Sequence, residues 1–288
     1  MRNGEYVSVV VPTRNRAANL RQCLRSLLSQ NYPLESYEII VVDNGSTDNT
    51  FNVVMESAER ISHPPIRLIR QATRGLNRAR NAGIAAASGD PICFVDDDVI
   101  ASPGWLSAMV AGFSCHPEAG CFGGPIRLRL EGKAPRMCGT EPLGETELEL
   151  GYEERVVSAV WGANMAVTKA ALDGCGYFDE RIEIYGDEEE WERRLISRGG
   201  SVIYLPRAWV WHRRSAESLR IRALLRSRFH RGIKQTEFRH HQREAVQTGG
   251  EFKLFCRGLG HAVRSRCCWG LLAASESAGR VWGTFGKW

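Results

Sequence analysis

The stretch Ile92-Cys93-Phe94-Val95-Asp96-Asp97-Asp98 sets four apolar residues directly before three carboxylates. A short continuous apolar run has the character of a strand buried on both faces, as in a parallel sheet. The charge then emerges at the carboxyl edge of that sheet, where open α/β folds bind their ligands. Three adjacent carboxylates repel one another. A hard cation such as Mg²⁺ or Mn²⁺ relieves that repulsion by gathering oxygen ligands. The alternative is an acidic turn facing solvent, and the apolar run before it argues against one.

Outward from this strand the same pattern recurs. Val7 to Val11 reads as a buried strand stopped by Pro12. Leu20, Leu24, Leu27 and Leu28 share one helical face. Tyr37 to Val42 is a second strand closed by Asp43-Asn44-Gly45-Ser46, and Ser46 or Thr47 is placed to cap a helix over 48–60. Residues 66–69 read as a third strand, 75–87 as a helix of small residues, and Gly89-Asp90 as the turn into Ile92. Pro103 suits the first turn of a helix over 103–114. Alternating strands and helices argue for βαβ units: an α/β, Rossmann-like, mostly parallel sheet flanked by helices. Beyond it, 126–156 is weakly patterned, and the acidic stretch from Glu141 to Glu154 reads as a long excursion. Strands are expected over 156–161 and 201–205, and a helix over 187–198.

The chain has 288 residues, which accommodates one large α/β domain, placed at 1–214, and a helical basic extension at 215–288. Its formal net charge of +5 conceals an asymmetry. Residues 1–211 carry 22 Lys/Arg against 28 Asp/Glu, a net of −6; residues 212–288 carry 16 against 5, a net of +11. An acidic body joined to a basic tail suits an anionic partner. Nine cysteines without a CxxC pair read as reduced thiols, Cys93 as a core residue, and the vicinal Cys267-Cys268 pair as unbridged. No apolar leader follows Met1, and no stretch approaches the roughly 18 apolar residues of a spanning helix. The expected location is cytoplasmic, with a peripheral place at the inner face of the membrane.

Neither a GxxxxGK[ST] loop nor GxGxxG after the first strand is present, and HExxH is absent, which sets aside P-loop enzymes, ordinary dinucleotide binders and zincins. Three polar clusters end three strands: Pro12-Thr13-Arg14-Asn15, Asp43-Asn44-Gly45-Ser46 and Asp96-Asp97-Asp98. Parallel strands bring such ends together, so one carboxylate can hold a base or ribose edge and another a metal that neutralises a diphosphate. Taken alone, Asp43 is equally a turn or cap residue. A fourth cluster, Tyr185-Gly186-Asp187-Glu188-Glu189-Glu190-Trp191, puts four acids in the first turn of a helix. That suits the helix dipole, but exceeds what capping requires and supplies a general-base candidate, provided the site raises its pKa towards working pH. His212, after the apolar run 208–211, is either a hydrogen-bonded structural residue or a ligand beside carboxylates.

Taken together these residues resemble glycosyltransferase family 2 on a GT-A fold. The matching segments are Val9 to Asn15, Val41 to Asp48, Gly75 with 79–84, Phe94 to Asp98, Gly162-Ala163-Asn164-Met165, Gly186-Asp187-Glu188 with Trp191, Arg194 and Leu195, and Pro206 to His212. They run in family order over 6–212. The resemblance implies an inverting transferase that uses a nucleotide-diphosphate sugar, with UDP the commoner carrier, an acceptor hydroxyl and Mn²⁺ or Mg²⁺. It assigns donor contacts to Pro12, Thr13, Arg14, Asn15, Asp43, Gly75, Arg80, Asp96 and Asp97. Metal contacts fall to Asp96, Asp98 and His212, and acceptor contacts to Trp161, Gly162, Asn164 and Trp191. The base is Glu188 by position; an acid followed by Asp is usual there, so the order Asp187-Glu188 leaves Asp187 open. No QxxRW motif follows, which sets aside processive polymer synthases.

The rivals are a nucleotidyltransferase, which also needs a nucleotide–metal site, and a non-catalytic protein that binds an anionic partner through its tail. A nucleic-acid partner is not expected, because no zinc-finger spacing or basic-region heptad appears. The tail interleaves cations with Leu219, Leu224, Leu225, Phe229, Phe252, Leu254, Phe255, Leu259, Trp269, Leu271, Leu272, Trp282, Phe285 and Trp288. Such stripes lie on an anionic membrane surface, which would suit a lipid-linked or hydrophobic acceptor, or they pack on the catalytic domain or on a second copy in a homodimer.

Overall fold

The computed structural model describes residues 5–138, 146–182, 186–242 and 248–285. Tyr185, Trp288 and part of the acidic excursion lie outside the described residues. The strands are β1 (Val7–Thr13), β2 (Tyr37–Asp43), β3 (Ile66–Arg70), β4 (Ile92–Val95), β5 (Val99–Ala101), β6 (Cys121–Gly123), β7 (Ile126–Glu131), β8 (Arg155–Val157), β9 (Asn164–Val167), β10 (Val202–Tyr204) and β11 (Val210–Ser215). The helices are α1 (Ala17–Leu27), α2 (Thr50–Glu59), α3 (Leu76–Ala86), α4 (Trp105–Cys115), α5 (Lys169–Cys175), α6 (Asp187–Ser197), α7 (Ile221–His241), α8 (Thr248–Ser265) and α9 (Cys268–Gly283).

The chain divides into two compact units: Met1–Leu128, Thr146–Glu183 and Asp187–Arg213 form one, and Arg129–Glu145, Ile184–Gly186 and Arg214–Trp288 the other. In the first unit an eight-stranded sheet runs β3-β2-β1-β4-β9-β6-β10-β8. Every residue of β1, β2 and β4 is buried, as continuous apolar runs in a parallel sheet should be. Within β2 the buried Glu38 carboxylate accepts from Ser8 Oγ at 2.8 Å, Arg67 Nη1 at 2.9 Å and Ser88 N at 2.8 Å; a buried charge is tolerated when so paired.

The order β3-β2-β1-β4 is parallel, with Thr13 opposite Asp43 and Val10 opposite Phe94. That register sets the polar ends of β1, β2 and β4 next to one another. β9 breaks the pattern: it runs antiparallel to both β4 and β6, with Val95 opposite Asn164. It therefore threads residues 162–164 back past the aspartates. A second sheet, β5-β11-β7, includes an antiparallel β5–β11 pair that sets His212 opposite Val99. His212 thus lies within a strand, whereas the sequence reading put it after one.

Helices cover both faces. α1 buries Leu20, Cys23, Leu24 and Leu27. α3 is built of small residues because it lies on β1: a Cβ at Gly83 would come within 2.3 Å of Val10 Cγ1. Two helix starts differ from expectation. α2 begins after Asn49, and its first turn is held by Asp48, whose Oδ1 accepts from Thr50 N at 3.0 Å, so Ser46 and Thr47 are free to tie the loop below. α4 begins after Gly104, so Pro103 precedes the helix. The strand expected over 156–161 shortens to β8, and the rest leads to β9 as a loop. In the second unit α9 packs on α7 and on α8 through glycines. A Cβ at Gly279 would meet Phe229 O at 2.0 Å, and one at Gly270 would meet Gly258 O at 2.3 Å.

Candidate functional site

Three loops at the carboxyl ends of β1, β2 and β4 are tied into one edge. Asn15 takes a left-handed backbone, φ 54°. There its N–H donates to Ser46 Oγ at 2.9 Å, and its Oδ1 accepts from Thr47 N at 2.7 Å. Asp43 Oδ1 accepts from Ser46 N at 2.8 Å, which closes the turn after β2. Asn44 Oδ1 accepts from Gly75 N at 2.9 Å, which brings the start of α3 to the same edge. Pro12, Thr13, Asp43 and Gly75 are thus brought together; Arg14 and Asn15 are exposed beside them.

The three aspartates diverge. Asp97 points inward, where its Oδ2 accepts from Thr13 Oγ1 at 2.7 Å and its Oδ1 from Arg16 Nη1 at 3.1 Å. Burial pushes its carboxyl up to about 6, against the pull of Arg16. Asp98 holds Arg16 Nη1 at 2.7 Å through Oδ2, and its Oδ1 lies 3.2 Å from His212 Nε2. Ligand atoms of Asp96, Asp98 and His212 all lie within 4.8 Å of one another. Asp96 is held above the usual carboxylate range by burial and then by the charge of Asp98, with Arg80 and His212 opposing. Two partly buried carboxylates and an imidazole form a donor set that fits Mn²⁺; Mg²⁺, which prefers oxygen, would rest on the two carboxylates.

A second cluster grows from α6 and α3. Arg80 is fully buried and forks between Asp187 and Glu188, with Nη2 3.0 Å from Glu188 Oε1. The same Oε1 accepts from Gly162 N at 2.9 Å. A side chain at 162 would displace this pair: a Cβ there would lie 2.1 Å from Arg80 Nη2 and 2.4 Å from Glu188 Oε1. The two acids are unequal. Asp187 is 1% exposed, and burial followed by the charge of Glu188 raises it. Glu188 is 17% exposed; burial opposes its charge, but Arg80, the hydrogen bond with Asp187 and the backbone N–H groups prevail and hold it down to about 2. Glu188 is therefore the ionised, reachable member of the pair, although the site lowers it where a general base is expected to be raised towards working pH. Arg80 contributes to the electrostatics of Asp96 as well, which couples the two clusters.

Several expected contacts are placed elsewhere. Arg80, expected at the donor, is committed to the acid pair. Asn164, expected at the acceptor, is buried, its Oδ1 accepting from Trp105 Nε1 at 2.7 Å and its Nδ2 donating to Ala208 O at 2.7 Å and Pro125 O at 3.1 Å. Trp191 is also interior, donating to Gly176 O at 2.8 Å and lying 5.6 Å from the Phe178 ring. Both residues fix the loop and helix that carry Gly162 and Glu188. Trp161, next to Gly162, is partly buried. The sequence reading missed Arg16 and Glu192. Glu192 is fully buried one turn after Glu188 and accepts from Val160 N at 2.8 Å. Burial pushes its carboxyl up to about 9.

Residues 8–175 match the family described as Glycosyl transferase family 2. Glycosyltransferase AglE of Haloferax volcanii is 28% identical over 199 residues, 69% of this chain and 64% of its own. The pre-mycofactocin glycosyltransferase of Mycobacterium tuberculosis is 32% identical over 214 residues, 72% of this chain and 42% of its own. The matches thus span less than two-thirds of these relatives' lengths. Among solved structures, the mannosyltransferase PcManGT of Pyrobaculum calidifontis, in complex with GDP-Man and Mn²⁺, superposes with a TM-score of 0.68 at 18% identity, covering 99% of this chain and 88% of that one. That likeness concerns the fold, the expected GT-A arrangement of a large, mostly parallel sheet between helices. On the family match over 8–175, the chain belongs to glycosyltransferase family 2.

Proposed function

We propose that this protein is an inverting, divalent-metal-dependent glycosyltransferase that moves a sugar from a nucleotide-diphosphate sugar, UDP-linked by family resemblance, to an acceptor hydroxyl. The observation that carries this reading is the pairing of two clusters. Asp96, Asp98 and His212 converge within 4.8 Å, and Glu188 is held ionised by Arg80 and Gly162 N on the neighbouring loop. Thr13 and Asp43 at the strand ends suit the nucleoside. A divalent cation on Asp96, Asp98 and His212 would supply Lewis-acid stabilisation of the departing diphosphate. Glu188 accepts the proton of the acceptor hydroxyl as that oxygen attacks the anomeric carbon, opposite the leaving group. One displacement from that face inverts the centre. Arg80 fixes the carboxylate of Glu188 and screens it from Asp187; Gly162 leaves room for both.

The test is nucleoside diphosphate release from a panel of nucleotide sugars with Mn²⁺ and no acceptor. We expect slow release of UDP from one or more donors, its abolition by chelator, and a loss on the order of 10² or more in Asp98→Asn. Release of GDP alone would replace UDP in the proposal. Pyrophosphate release from a nucleoside triphosphate, with none from nucleotide sugars, would overturn it in favour of a nucleotidyltransferase.

A further inference from the structure

The second unit contains a cluster that the transferase reading does not use. Cys138 Sγ lies 2.8 Å from His261 Nε2, and Cys267 Sγ lies 3.2 Å from the same nitrogen. All three ligand atoms fall within 4.8 Å of one another. The residues come from separate places: Cys138 from the segment after β7, His261 from the last turns of α8, and Cys267 from the position just before α9. The backbone is shaped to bring them together. Arg266, between α8 and Cys267, takes φ 47°, a left-handed conformation rarely adopted by a long side chain. Cys268 N donates to Arg136 O at 2.8 Å, which holds the Cys138 segment against the α8–α9 turn. The Trp269 ring stands edge-on to His261 at 5.1 Å and fixes its plane.

We propose that Cys138, His261 and Cys267 form a zinc site that clips residues 129–138 to the α8–α9 turn, with the fourth coordination position left to solvent. Two thiolates and an imidazole are a soft donor set that selects Zn²⁺ over the hard cations suited to Asp96, Asp98 and His212. Tetrahedral zinc sets sulfur and imidazole nitrogen about 3.5 Å apart, so the ion enters with a small outward movement of both sulfurs. Binding deprotonates both thiols and releases their protons to solvent. A clip of this kind suits a small helical unit with little core of its own.

The experiment is Co²⁺ titration of the full chain, purified in reductant and stripped of metal, followed by zinc analysis of the untreated protein. Sulfur bound to Co²⁺ gives a near-ultraviolet thiolate charge-transfer band; a site of oxygen and nitrogen ligands does not, so the Asp96–Asp98–His212 cluster is silent in this readout. We expect the band to saturate at one equivalent, to be displaced by Zn²⁺, to persist in Asp98→Asn and in Cys115→Ser/Cys256→Ser, and to vanish in Cys138→Ser/Cys267→Ser. Zinc should also shield Cys138 and Cys267 from alkylation in the native chain, a readout that needs no variant. Absence of the band in the wild-type chain, its survival in Cys138→Ser/Cys267→Ser, or a Cys138–Cys267 disulfide forming with no metal uptake would each overturn the proposal.

Discussion

At the scale of single residues, the division of labour between Asp187 and Glu188 is the most exposed part of the mechanism. Both carboxylates face one guanidinium, yet only Glu188 is both ionised and reachable. Glu188→Gln keeps an oxygen for Arg80 and for Gly162 N, and removes only the ability to take a proton. Turnover should fall on the order of 10²–10⁴, with donor affinity changed by no more than a few-fold. Asp187→Asn keeps an oxygen for Arg80 Nη1 and, because burial raises the Asp187 carboxyl towards its neutral form, removes little charge. Its unfolding midpoint and turnover should stay near those of the wild-type chain. Parallel measurement of kcat, donor affinity and melting separates the two. An Asp187→Asn protein that melts normally but is inactive, beside an active Glu188→Gln protein, reverses the assignment. The strand-end residues Thr13, Asp43, Asp96 and Asp98 were legible because an apolar run followed by charge has one physical reading. Arg16 was not, because an arginine just before an amphipathic helix looks like a solvated surface residue. Only the structure shows its guanidinium between Asp97 and Asp98.

At the scale of elements, α6 shows how a helix hides a functional group among similar ones. Its sequence, four acids before Trp191 and then Glu192, reads as a dipole-friendly first turn. Yet positions 188, 191, 192 and 195 lie on one helical face, and Trp191, Glu192 and Leu195 are buried there. The signal for Glu192 was that spacing, one turn after Glu188. A buried carboxyl raised from 4.5 to about 9 has a definite consequence for stability. Between those values the native state keeps the proton and the unfolded chain has lost it, so the unfolded state binds fewer protons and stability falls as pH rises. The contribution is fully present below pH 4.5 and is lost progressively as pH rises towards 9. Glu192→Gln removes the titration. Thermal melts from pH 5 to pH 8 should therefore decline less steeply in Glu192→Gln than in the wild-type chain, and equal slopes would show that Glu192 is ionised in the native protein. β9 and α5 escaped the sequence reading for a different reason. Asn164–Val167 is only four residues long, and the Thr168 side chain that caps α5 by accepting from Ala171 N at 3.0 Å was an available but unread helix-start signal. The antiparallel insertion of β9, which brings Gly162 to Glu188, has no local signature because strand direction is settled by partners far away in sequence.

At the scale of the whole molecule, the charge split read from the sequence persists, but the apolar residues of the basic segment divide into two sets. Leu219, Leu224 and Leu272 are buried, and part of the cationic charge is spent internally: Arg228 and Arg280 reach Glu276 at 3.0 and 3.1 Å, and Arg280 reaches Glu251 at 2.8 Å. To that extent the helices pack on one another. Phe252, Leu259 and Val263 behave differently. They are 64%, 39% and 80% exposed and recur at helical spacing along α8, with the exposed Lys253, Arg257 and Arg264 beside them. An apolar stripe with cationic flanks is the form of a helix that lies in a membrane interface. Among the described residues no helix is long and apolar enough to cross a membrane. Each Lys or Arg near an anionic surface adds about 1 kcal/mol, an electrostatic attraction that salt screens. We therefore expect the full-length chain to float with anionic vesicles at low salt, to be released at high salt, and to ignore neutral vesicles. Phe252→Glu/Val263→Glu, which alters only exposed positions, should stay behind under the same conditions. Failure of the wild-type chain to float at low salt would leave contact with a second copy as the use of this stripe, and a concentration-dependent mass in solution would then identify it.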